Sequence, residues 1–139
     1  MSRYHVDELS FRVPDGWVDR SIQLFTKPEG VVSLNVTRDA LKGEAIGDYA
    51  ARQLEALANG PTRVHVIAQR ARTIEGVPSY EARLQWAPQG TLYFQHQVYV
   101  PYYDTAVIFT VTGPNQMAAQ CDAYLEQALA DVRFRKKSG

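Results

Sequence analysis

Cysteine is almost absent. The 139 residues contain one, Cys121, so no intrachain disulfide can form and stability must come from an ordinary core. A charge excess is missing too. Fifteen basic and fifteen acidic side chains cancel, which leaves no global field to attract nucleic acid or an anionic membrane surface. No stretch approaches the roughly 20 apolar residues that a membrane span needs. The start, MSRYHVDELSF, has no apolar segment, so no secretory signal is expected and the chain is read as reduced and cytoplasmic.

The motifs of catalysis are also missing. There is no phosphate-binding glycine loop, no Gly-x-Ser-x-Gly elbow and no paired-carboxylate motif. His5, His65 and His96 stand apart from one another without metal-ligand spacing, and His65 and His96 are expected to be structural or surface residues. Cys121 falls on the apolar stripe of a helix, where a small buried hydrophobe is expected. Neither a cofactor nor an enzymatic activity is expected, although a triad need not be local in sequence. The one charge run, Arg133 to Lys137, reads as a solvated end, with residues 136–139 disordered.

What remains is a single domain: 139 residues suffice for one core and not for two, and there is no repeat or linker. Hydrophobic residues are 45% and charged residues 22%, the balance of a globular protein. Alternation marks strands around Tyr4–Val13, Ser21–Thr26, Val31–Asp39, Val64–Arg72, Ser79–Trp86, Thr91–Val100 and Thr105–Thr112. Helical spacing marks two amphipathic segments. In the first, Ile46, Tyr49, Ala50, Gln53, Leu54 and Leu57 share a face; in the second, Met117, Cys121, Tyr124, Leu125, Ala128 and Val132 do. Asn115 is placed to cap the second helix. The fold class is therefore α+β: an antiparallel sheet of about six or seven strands with two helices packed on one face.

Such an arrangement leaves the other sheet face free. Period-two parity sorts the side chains. Leu34 and Val36, Phe94 to Val100, and Val107 to Val111 supply apolar sets. Ser33, Asn35, Gln95, Gln97, Ile108, Thr110 and Thr112 fall on the complementary set. Ile22 and Leu24 then lie among amides and hydroxyls if Phe25 joins the core, which makes a groove with apolar anchors and hydrogen-bonding walls. A one-residue slip reverses this and returns both to the core. Parity alone leaves the two readings open.

Val13-Pro-Asp-Gly-Trp17, DRSIQLF from Asp19, SLNVTRD from Ser33, DYAARQL from Asp48 and FQHQV from Phe94 together resemble the Eag chaperones. These are DcrB-like proteins of PsbP-like α+β fold, encoded beside effectors of bacterial type VI secretion systems. The resemblance runs from Tyr4 to about Arg135. It implies a homodimeric adaptor that shields the N-terminal transmembrane helices of a toxin effector and helps load it onto the VgrG spike, without stable membrane insertion or nucleic-acid binding. It places the aliphatic groove residues at Ile22 and Leu24, and so favours the groove. The expected client-binding residues are Ile22, Leu24, Ser33, Asn35, Gln95, Gln97 and Ile108, with Asn35 where an apolar residue is expected. A generic PsbP-like adaptor with another partner is the alternative, since the fold also serves photosystem-associated and Ran-binding proteins. A small-molecule site on the Tyr93/Tyr99 side would require a closed cavity.

Overall fold

A computed structural model describes the backbone of residues 2–5, 9–13, 18–21, 24–26, 32–130 and 132–134, and side chains from residue 32 onward. Four short strands come first: β1 (Ser2–His5), β2 (Leu9–Val13), β3 (Val18–Ser21) and β4 (Leu24–Thr26). The long strand β5 (Ser33–Ala40) leads into helix α1 (Ile46–Ala58). Four ten-residue strands follow, β6 (His65–Ile74), β7 (Val77–Trp86), β8 (Tyr93–Tyr102) and β9 (Thr105–Pro114). Helix α2 (Ala118–Leu129) and the short β10 (Arg133–Phe134) complete the chain.

Seven strands form one antiparallel sheet in the order β3-β4-β5-β9-β8-β7-β6, and the five long ones carry most of it. The β6–β7 hairpin closes through Glu75 and Gly76, both at positive φ (49° and 77°). That backbone matches the right-handed twist of the flanking strands, which is why a glycine stands there. A second sheet, β1-β2-β10, was not anticipated by the sequence reading. It joins the two ends of the chain, with β2 lying against α2.

The two helices pack on opposite faces of the large sheet, not on one face as expected. Register gives the reason. Leu34, Val36, Val98, Phe109 and Val111 share a face with Cys121, Leu125 and Leu129 of α2. On β7, however, Ala82 lies opposite Gln97 and Leu84 opposite Gln95, so the apolar set of β7 points the other way. Directly paired positions share a face. The apolar surface of β7 therefore needs its own cover, and α1 supplies it: Leu54 packs with Val64, Ala82 and Leu84, while Ile46, Tyr49 and Ala50 pack with Tyr99 and Ala106. The sheet is a middle layer with a helix on each side.

Local details also depart from the pattern. Strand β5 ends at Ala40 and α1 starts at Ile46. Its anticipated face holds at Ile46, Tyr49, Ala50 and Leu54, whereas Leu57 is exposed. Asn115 does not cap α2. It lies in a short 3-10 turn, and its side-chain oxygen accepts a hydrogen bond from Gln85 Nε2 at 2.7 Å. Among the described residues no helix is long and apolar enough to cross a membrane.

Candidate functional site

The polar half of the sheet is built from three adjacent strands. Ser33 of β5 lies opposite Thr112 of β9, which lies opposite Gln95 of β8. The next row is Asn35, Thr110 and Gln97, and the third is Thr37, Ile108 and Tyr99. Side chains two apart on a strand share a face, so the first two rows form one patch of hydroxyls and amides. Ser33, Asn35, Gln95, Thr110 and Thr112 are half-buried, and Gln97 is buried. The patch shares its sheet face with α1, because Gln95 and Gln97 lie opposite Leu84 and Ala82, which pack with Leu54 of that helix.

Hydrogen bonds run along β8 within this patch. Tyr99 OH donates to Gln97 Oε1, and Gln97 Nε2 donates to Gln95 Oε1 at 3.1 Å. Burial pushes the Tyr99 hydroxyl well above the ordinary tyrosine range, so it remains a neutral donor. The ladder fixes the orientation of both amides and leaves the Gln95 amide group as its outer end. Beyond it, Trp86 and Tyr93 stack at 5.5 Å with 27° between their planes.

Four of the expected client-binding residues, Ser33, Asn35, Gln95 and Gln97, thus meet in one patch. Ile108 lies on the same face in the third row, where it packs against the cluster under α1. Leu24 belongs to β4, whose backbone register pairs Leu24 with Asn35 and Phe25 with Leu34. Ile22 lies outside the described residues, as do residues 136–139. Sequence reading placed Thr110 and Thr112 in the polar set but did not single them out. Alternation within β9 is the signal that marks them.

A second cluster lies on the opposite face, between sheet and α2. His96 is fully buried, and its Nε2 lies 2.9 Å from Glu81 Oε2. Asp122 Oδ1 is 2.8 Å from His96 Nδ1 but off hydrogen-bond alignment, so Nδ1 has no hydrogen-bond partner. Arg70 pairs with the other Glu81 oxygen. Arg72 bridges Glu81 and Glu126 at 2.9 and 2.8 Å. Burial raises the Glu81 pKa, but hydrogen bonds from His96, Arg70 and Arg72 outweigh it and hold the carboxyl at about 2.

Glu81, His96 and Glu126 offer donor atoms within 4.8 Å of one another, a spacing suited to a small cation. Arg72 already occupies the space between the two carboxylates, so guanidinium supplies the positive charge there. The cluster ties β6, β7 and β8 to α2. Sequence reading saw His96 without a partner because Glu81 and Asp122 come from other elements.

The family follows from comparison. The DcrB family model matches residues 8–131. The chain belongs to the DcrB family. Among curated relatives, it is 29% identical over 117 residues to the Pseudomonas aeruginosa protein named Effector EagT6, covering 81% of each chain. Among solved structures, it resembles a Pseudomonas aeruginosa protein of unknown function, PA94, with TM-score 0.73, 26% identity and 99% of both chains covered. The solution structure of cyanobacterial PsbP from Synechocystis has TM-score 0.74 at 12% identity, covering 96% of this chain and 92% of that one. This last likeness shows the fold alone, and it makes the α+β architecture PsbP-like.

Proposed function

We propose that this DcrB-family chain is a non-enzymatic, cytoplasmic adaptor chaperone. It acts as a homodimer that holds the N-terminal transmembrane region of a type VI secretion effector and assists its loading onto the VgrG spike. The observation that carries the reading is the patch of Ser33, Asn35, Thr110, Thr112, Gln95 and Gln97 in two adjoining rows across three strands. The backbone register supports it: pairing Leu24 with Asn35 puts the two positions on one face. Kinship with EagT6 supports the effector as client.

The chemistry suits that client. A transmembrane helix stored in water needs its apolar side chains covered, at roughly 1.5–3 kcal/mol for each Leu-sized group. Helices packed through small residues also use polar side chains as interhelical glue, and the two polar rows offer such groups. Ile22 and Leu24 serve as the apolar anchors.

The test is co-expression of the tagged chain with the N-terminal hydrophobic segment of the effector encoded beside it. Ile22→Gln, Leu24→Gln and the double variant Gln95→Ala/Thr110→Ala run in parallel. A soluble stoichiometric complex with wild type that is lost in these variants supports the reading. Client left insoluble with wild type sinks it. Capture that survives all three variants moves client binding off this face.

A further inference from the structure

The corner where α1 turns into β6 has no role in the reading above. Two surface cavities, of about 650 and 630 Å³, meet there and share Arg63 and His65 as lining. The second is walled by Pro61, Trp86 and Leu92. Leu92 is 41% exposed, and Trp86 is held in place by its stack on Tyr93. Strand β6, which begins at His65, is an edge of the large sheet.

Arg63 lines both cavities, and neither is lined by a carboxylate. Arg52, Arg70, Arg72, Arg83 and Arg133 each reach a carboxylate. Arg63 reaches none among the described residues. Its backbone is also strained, with φ at 52°, a left-handed conformation that costs a branched-chain or long side chain more than glycine. An arginine held at a strained position, without a carboxylate partner among the described residues and beside a cavity with a Pro61–Trp86–Leu92 wall, is arranged to meet an anion from outside.

We propose that this corner docks an extended acidic peptide segment of a partner protein. A carboxylate of the segment meets the Arg63 guanidinium, and an adjacent apolar side chain enters the cavity walled by Pro61, Trp86 and Leu92. The site uses different residues from the proposed client patch and does not depend on it.

The experiment is a fluorescence-anisotropy titration of the full chain with a fluorescein-labelled peptide, Asp-Phe-Glu-Leu-Asp, and a control in which lysine replaces each acidic residue. The acidic peptide binds and weakens as salt is raised; the lysine peptide does not bind. Arg63→Gly relieves the positive φ, so its melting temperature holds or rises while affinity falls by about tenfold. Leu92→Asp also weakens binding. The proposal is overturned if the acidic peptide fails to bind, if both peptides bind alike, or if Arg63→Gly binds as wild type does. Sedimentation velocity supplies the remaining arm: a dimer that dissociates in Arg63→Gly would assign the corner to a second copy of the chain and overturn the peptide.

Discussion

At the scale of single residues, the buried charges between sheet and α2 govern behaviour in acid. Glu81 is held at about 2, below its ordinary 4.5, because three donors surround a carboxylate that burial alone would push upward. A depressed carboxyl contributes stability that is present above its unfolded pKa and lost as pH falls toward its folded one. Stability should therefore decline between about pH 4.5 and 2, followed by circular dichroism in urea at stepped pH. Glu81→Gln should flatten that part of the profile. At neutral pH it should cost roughly 3 kcal/mol, since Arg72 and His96 lose their buried partner. Cys121 offers an independent readout. Burial, helped by the Asp122 charge, pushes its thiol up to about 11, so Ellman's reagent at pH 8 should leave the folded chain unreacted and label one thiol per chain on unfolding. Rapid labelling of the native protein would show that α2 does not stay seated.

At the scale of elements, the finding with most consequence is that each helix has its own sheet face. Leu54 of α1 and Leu125 of α2 are both buried in separate clusters. Leu54→Ala and Leu125→Ala should each cost roughly 2–5 kcal/mol in urea denaturation, according to how far each cavity collapses. Because the sheet separates them, the double variant should equal the sum of the singles within about 0.5 kcal/mol. A large coupling energy would mean one shared core. The expectation of two helices on one face came from counting two helices as too few to cover both faces of six or seven strands. Within each strand the sorting was right, as Leu34 and Val36 against Ser33 and Asn35 illustrate. How β7 aligns with β8 is decided by pairing, and alternation inside one strand carries no information about it.

At the scale of the whole molecule, the sheet is a shared wall. One side of β8 carries His96 in the charge cluster under α2, and the other carries Gln95 and Gln97 in the polar patch. Ile22→Gln and Leu24→Gln should leave the circular dichroism spectrum and the sedimentation coefficient unchanged while weakening capture of the proposed client. If either variant unfolds the chain, those side chains belong to the core and the client-binding patch must be redrawn.

The sequence by itself determined the long strands, the two amphipathic helices and the composition of each strand's two sides, because these are local periodicities of 2 and 3.6 residues. It also made Ser33 with Asn35, and Gln95 with Gln97, legible as the polar side of their own strands, since alternation holds within a strand. Only the tertiary structure decided which sets share a face, that β10 joins the first two strands, and that His96 meets Glu81 and Asp122. Those facts rest on register and on contacts between elements far apart in the chain. They are fixed when the sheet pairs and both of its apolar faces must be covered at once.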